Sequence, residues 1–461
     1  METSPEETSS TNKSVSQIQH LAWVIVLVSF AMFCSLSIAF SGGIYYFLFR
    51  STMPMTVVVQ VGQGSTGIVT QDNERIARRD DAFPTAITER PAVLSTGSPL
   101  DQATITISVP DESGDNSIPI ATLTLESSST IALINARRPR FNWSNGVYTL
   151  NFTEFSGEAE IFIHEIPERS LNFRIQTRPG NATYVFDREG RYSISANNDT
   201  IRVITYEGRA LLVSPDNRNN RIAVNGEEIV LLTGANRPVV DSAPVNLIDN
   251  GLFAFDIEQD VTTGELQVPQ YWACFNPSDG PPSGNYLADT WQGRNAIRLI
   301  RETGTETSRT GCRRWLDVSV AGYSSLELQA TFALNYQSLV NCGVAGSECP
   351  MMIFVQYNDA EGENHTWYQS FFYEYDPQNP APLVCLECAQ VYEHRPIAEQ
   401  VWFTYESGNL FTRLPENERP VQILDVMFYA SGHRYDVFVS DISLIADTQV
   451  NVPPDQIPDG N

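Results

Sequence analysis

Six of the seven cysteines, Cys274, Cys312, Cys342, Cys349, Cys385 and Cys388, lie in the C-terminal half of this 461-residue chain. An even set of thiols in one region is what an oxidising compartment turns into disulfides. Cys342-Gly-Val-Ala-Gly-Ser-Glu-Cys349 and Cys385-Leu-Glu-Cys388 are close pairs, which leaves Cys274 for Cys312. Six cysteines allow about 15 pairings, so spacing does not choose among them by itself. A zinc site would want a second, distant C-x2-C, and the chain holds one. No metal ligation is expected.

Catalytic patterns are missing. His164, His365, His394 and His433 are isolated from one another, and neither H-E-x-x-H nor G-x-S-x-G occurs. Asp359 and Glu361 stand together in what reads as a hairpin loop, where a solvated turn explains them. Glycosidase carboxylates are brought together by the fold, so a carbohydrate-active enzyme ranks third among the readings. The expectation is a protein that is not an enzyme. Gly62-Gln-Gly64-Ser-Thr-Gly67 matches G-x-G-x-x-G, but a dinucleotide site needs a helix starting on its third glycine. IVTQDNERIARRDDAF, which follows, has no cap and no 3.6-residue apolar period.

Aromatic residues offer the one binding chemistry that stands out. A ring face can cover the apolar face of a sugar, and a carboxylate can accept hydrogen bonds from neighbouring hydroxyls. Five of the seven tryptophans (Trp272, Trp291, Trp315, Trp367 and Trp402) lie beyond residue 246. Tyr271, Trp272, Trp291 and the acids Asp279 and Asp289 occupy a Gly/Pro/Asp-rich stretch, 271–294, outside strand alternation. Tyr271, Trp272, Trp291 and Asp289 are therefore the expected ligand-binding residues. Core packing competes for each tryptophan. One or two stacked rings supply a few kcal/mol, which corresponds to roughly millimolar affinity.

Around these residues the chain has a simple plan. Leu21–Phe49 runs without a charge, and none occurs between Lys13 and Arg50. A bilayer core needs about 20 such residues. Trp23 and Tyr45-Tyr46 sit near the two ends, where headgroup-level rings are favoured. The run is too long for a cleaved leader's apolar core, and IYYFLF continues past the small residues at Ala39 and Ser41. Residues 20–50 are read as an uncleaved single span in contact with membrane lipid. Lys13 against Arg50 barely decides orientation, whereas the cysteines place the bulk of the chain outside and the N-terminus inside. Net charge is −26, and Lys13 is the one lysine among 29 basic residues. That balance excludes a nucleic-acid footprint and argues against attraction to anionic lipid.

Residues 1–19 are polar and read as a disordered tail; 51–85 reads as a stalk. From 86 to 236 apolar and polar residues alternate, as in ATITISV (103–109), GVYTLNF (146–152) and TIRVITYEG (200–208). Thr177-Arg-Pro-Gly180, Gly190-Arg-Tyr192, Thr200-Ile-Arg-Val, Glu207-Gly208 and the turn Asn225-Gly226-Glu227 together resemble the FecR-type periplasmic β domain. Segments 96–107 and 122–133 would supply its earlier strands. That resemblance implies a β fold in the cell envelope. FecR-type regulators also carry a cytoplasmic segment able to hold a sigma factor, and residues 1–20 are too short for that role.

A linker is expected at 237–245, around Pro238 and Pro244. Beyond it, patterns such as RWLDVSV (314–320), SLELQATFALNY (325–336) and MMIFVQY (351–357) suggest a two-sheet jelly roll over 246–447. Asn246-Leu-Ile-Asp249-Asn250-Gly251-Leu-Phe253 and the closing segment 435–445 resemble galactose-binding-like jelly rolls, the architecture of many carbohydrate-binding modules. Residues 448–461 read as a disordered tail. The expectation is thus an all-β ectodomain, a FecR-like β domain plus a β-sandwich jelly roll, on one N-terminal transmembrane helix of bacterial type. It would bind carbohydrate or another cell-envelope polymer, or build surface architecture. The alternative is a FecR-like signalling component without its own sigma-binding segment. No cofactor is called for, with a structural calcium in the jelly roll left open.

Overall fold

The uncharged run forms most of one helix, Thr11–Phe49, because it holds no proline and is dominated by apolar side chains that leave the backbone ladder intact. Its segment Gln19–Phe49 contains an 18-residue stretch with a mean hydropathy of 2.4, none of it buried, and is long and apolar enough to cross a membrane. The computed structural model describes the chain except residues 1–10, 72, 80, 82–83, 99–100, 111–116, 142, 165–168, 179–181, 214–219, 233–237, 254–268, 270, 278–279, 293, 377, 379–382, 387, 389–393 and 448–461; for 11–18 it describes the backbone alone. The tail expected over 1–19 thus falls outside the described residues up to 10, and the helix takes up the rest. The tail expected over 448–461 lies wholly outside them.

Among the described residues, the regular structure after the helix is strand apart from short turns of helix. The stalk expected over 51–85 is instead part of the first sheet system. Strand Thr56–Gln63 pairs antiparallel with Gln102–Pro110, and Ser65–Thr70 pairs with Glu74–Arg78 and Ala92–Thr96. Val57, Val59, Val61, Ile68 and Ala77 are buried in the same core as the later strands. The physical reason is the period of two in TVVVQV, which puts every second β-branched residue on one face. The G-x-G-x-x-G run is the hairpin between two of these strands. Gly64 sits at φ 72, and a Cβ there would lie 1.9 Å from Asp101 Oδ1. That carboxylate accepts the Ser65 N–H at 3.1 Å.

Two sheets of this first unit share one long strand, Tyr148–Ile163. Its first half pairs with Thr130–Pro139 and, in parallel, with Leu171–Thr177. Its second half pairs with Ser117–Leu125 and Gly190–Ala196. Between the halves the register slips, with Glu154 at φ 55 and Gly157 at φ 98. A bulge of this kind turns a strand from one sheet to the other. The expected linker is mostly strand as well. Val239–Ser242 pairs with Glu227–Leu232, and Val245–Asn246 with Tyr435–Asp447, which leaves Ala243-Pro244 as the crossing.

The second unit is a sandwich. One sheet runs in the order Asn285–Trp291, Arg294–Arg301, Tyr435–Asp447, Ser325–Gln337, Phe403–Asn409. The other runs Ala273–Phe275, Ser308–Ser319, Gln422–Gly432, Met351–Asn358, Asn364–Phe372, Arg395–Pro396. Leu299, Leu328, Phe332, Ile353, Phe371 and Phe428 fill the space between them.

The first sheet's outer face is not free, because the first unit lies against it. Gln102 uses its side-chain amide like a strand residue: Nε2 donates to Thr404 O at 2.7 Å, and Oε1 accepts from Thr404 N at 3.1 Å. Arg191 reaches across to Asp441 at 2.6 Å and donates to Ser443 Oγ and Gln329 Oε1, both at 2.7 Å. Burial works against this cation, yet Asp441 and Glu160 outweigh it and hold Arg191 above the usual arginine range. The same burial pushes the Asp441 carboxyl up, with Arg191 pulling back. Arg294 is also buried, lies 4.8 Å over the Phe162 ring, and is pushed down to about 10 by burial.

Candidate ligand-binding face

With one sheet covered, the outer face of the other is the less covered of the two among the described residues: Trp315 on it is exposed, although Tyr368, Asp425, Tyr429 and Met352 are buried. Strand alternation decides what it shows. Cys312, Ile353, Val355, Trp367, Val426 and Phe428 point into the core, so their neighbours point out. Cross-strand register then lines these neighbours up in rows. One row is Arg313, Met427, Phe354, Tyr368, and the next is Trp315, Asp425, Gln356, Thr366. A third, Gly311, Tyr429, Met352, Ser370, is partly roofed by the Cys342–Cys349 loop.

The rings in these rows are held flat against one another. Phe354 stacks on Tyr368 at 5.3 Å and on Tyr429 at 5.0 Å. Trp315 is 58% exposed, with the Arg313 guanidinium 5.9 Å from its ring. Arg313 Nε meets Asp425 Oδ1 at 3.4 Å as a charge pair, and among the described residues neither atom has a hydrogen-bond partner. Burial pushes the Asp425 carboxyl up, and Arg313 pulls it back. The face therefore combines the exposed Trp315 ring with the partly exposed guanidinium of Arg313, while the Asp425 carboxylate beneath them is buried. An amphipathic ligand with apolar faces and hydroxyl edges matches that combination.

The residues expected from sequence fall elsewhere. Trp272 is core: 5% exposed, packed on Phe253 and Phe428 at 5.2 and 5.3 Å, its Nε1 donating to Asn250 O at 3.1 Å. It offers no ring surface to a ligand, because it is buried in the core. Tyr271 is exposed, with Arg314 4.9 Å over its ring. Trp291 and Asp289 share the edge strand of the covered sheet. Trp291 stacks on Phe438 at 5.2 Å and meets Trp402 edge-on at 5.0 Å, while Asp289 pairs with Arg298 at 3.3 Å. Trp291 borders a cleft of about 650 Å³ between the units, lined also by Arg78, Asp81, Tyr373 and Glu399. Asp279 lies outside the described residues. Expected residues are thus split among core, loop and cleft. Arg313 and Trp315 were missed, although Trp315 shares its strand face with Arg313 and Asp317, a sign that it points outward.

The structure pairs Cys274 with Cys312, Cys342 with Cys349, and Cys385 with Cys388. His394 Nδ1 lies 3.7 Å from Cys349 Sγ. With both sulfurs in a disulfide, Cys342, Cys349 and His394 offer no thiolate to a metal. His365 Nε2 meets Asp359 Oδ2 at 2.7 Å, and this contact, with the Glu363 and Glu361 N–H groups, holds Asp359 below the usual carboxylate range. These groups brace a hairpin turn.

No protein-family model matches the chain, and no curated protein does. Solved structures similar to parts of it include a candidate anti-sigma factor from Parabacteroides distasonis, at 14% identity and a TM-score of 0.22 over 33% of this chain. The chain spans 59% of the length of that protein. A family 11 carbohydrate-binding module of a Clostridium thermocellum cellulosomal cellulase matches at 11% identity and TM-score 0.24, over 46% of this chain and all of that one. The CBM22-1 xylan-binding domain from Paenibacillus barcinonensis matches at 10% and 0.24, over 45% of this chain and 98% of that one. Likeness at this level carries no argument about activity.

Proposed function

We propose that this is a single-pass membrane protein whose outer part binds carbohydrate on the less covered face of its second β unit. The observation that carries the reading is the exposed Trp315 ring with the Arg313 guanidinium 5.9 Å from it. Trp315 keeps 58% of its surface exposed, which leaves ring area for a sugar to cover. The partly exposed Arg313 side chain offers guanidinium N–H donors to a sugar's hydroxyls. The covered sheet cannot serve, since Gln102 and Arg191 of the first unit occupy it.

The test is a glycan array with the full chain in lipid nanodiscs, which avoids sugar-based detergents, followed by titration of any hit. Trp315→Ala and Arg313→Gln should each weaken binding roughly threefold to tenfold, the worth of one ring contact or hydrogen bond. Unchanged binding in both, with loss in Trp291→Ala, would move the site to the cleft. Absence of any glycan hit would end the carbohydrate reading.

A further inference from the structure

The segment Arg137-Arg-Pro-Arg-Phe-Asn-Trp143 carries three of the chain's 29 basic residues within four positions. It lies about 90 residues beyond the apolar helix in sequence, yet the fold brings it to the helix end. Strand Thr52–Pro54, which begins just after the helix, pairs antiparallel with it: Thr52 opposite Pro139, Met53 opposite Arg138, Pro54 opposite Arg137. Arg140 N donates to Ser51 O at 3.0 Å, and Ser144 Oγ to Phe49 O at 3.1 Å. Side chains go further down. Phe141 meets the Phe47 ring at 5.6 Å, Trp143 meets Phe49 at 5.3 Å, and the Arg140 guanidinium lies 5.3 Å over Phe47. These partners belong to the last turn of the helix itself.

We infer that this loop is a second membrane contact, in which Phe141 and Trp143 enter the interface while Arg137, Arg138 and Arg140 bind lipid headgroup phosphates. The inference rests on the reading of Gln19–Phe49 as a span. If the helix crosses a bilayer, groups beside Phe47 and Phe49 share the depth of its last turn, where headgroups begin. Paired strands rise about 3.3 Å per residue, so Arg137–Arg140 stay within roughly 15 Å of the helix end. Trp143 is 56% exposed and Val147 43%, apolar surface that lipid would cover. Arginine forks match phosphate, and rings beside them suit the headgroup level. The chain's net charge of −26 does not oppose this, because charges beyond about 8 Å are screened at physiological salt. The contact would hold the first β unit against the bilayer with a fixed orientation.

The experiment reconstitutes the full chain into nanodiscs of phosphatidylcholine and phosphatidylglycerol that carry a nitroxide either on the headgroup or deep in the acyl chains. Fluorescence of the wild type minus that of Trp143→Phe isolates Trp143. The headgroup nitroxide should quench this difference signal at least about twofold more than the deep one. Arg137→Gln with Arg140→Gln should reduce that quenching by about half or more. Circular dichroism confirms the fold of each variant, and Arg140→Gln alone serves if the pair unfolds. A Trp143 signal that neither nitroxide quenches, in a chain that resists carbonate extraction, overturns the inference and spares the span. Extraction of the chain by carbonate overturns both.

Discussion

Replacing Arg191 by leucine should uncouple the two β units. Arg191 is 5% exposed, and its guanidinium is shared between them: Glu160 at 2.8 Å on its own unit, Asp441 at 2.6 Å on the other, with Ser443 and Gln329 as further acceptors. Tyr206 lies 4.9 Å below it. Leucine leaves two carboxylates facing each other in a site from which water is largely excluded. Breaking a buried pair from one side costs about 3–5 kcal/mol, most of it the stranded charge and not the lost attraction. At roughly 2–4 °C per kcal/mol for a unit of this size, calorimetry of the nanodisc-embedded chain should show a fall of about 10 °C in the affected transition. Adding Asp441→Leu and Glu160→Leu should restore most of the loss, since an apolar replacement of a whole buried ionic group is close to neutral. A change below about 1 kcal/mol for Arg191→Leu, the scale of an exposed pair, would refute the reasoning.

The same seam should be pH-sensitive. Burial pushes the Glu126 carboxyl up to about 8 from an ordinary 4.5, with Glu160, Glu158 and Glu327 adding repulsion against the Gln102 amide contact. Glu406, across the seam, is raised for the same first reason and by Glu126 itself. Acids with a raised folded-state value stabilise fully below about 4.5 and lose that contribution as pH climbs through about 8. Melting should therefore occur at lower temperature at alkaline than at mildly acidic pH, and Glu126→Gln should flatten the dependence; an unchanged slope in that variant counts against it. Trp272→Ala should cost about 3–5 kcal/mol in stability as a core truncation, and Trp315→Ala well under 1, read by denaturant unfolding. Protease added to intact cells should degrade residues beyond 50; survival until the membrane is opened would invert the orientation.

Several features of this protein are local in the sequence. An uncharged run longer than a bilayer needs no partner to be read, because helical hydrogen bonds are satisfied within the segment. Period-2 alternation marks strands at 103–109 or 351–357 for a similar reason: each strand declares two faces on its own. What alternation cannot say is which face the rest of the molecule covers. The strand at 56–63 reads locally as stalk because its partner, Gln102–Pro110, lies some 45 residues away. Trp315 shares its strand face with Arg313 and Asp317, but nothing local says that this face stays uncovered or that Trp272 is enclosed. One is enclosed by Phe253 and Phe428, and the other stands on the sheet face that the first unit leaves bare. Arg191 became a seam residue, and Arg140 a neighbour of Phe47, only when long-range strand pairing brought distant segments together. Sequence determined the elements and their two-sidedness; tertiary structure chose the inside, because burial is a property of pairs of surfaces and not of a strand.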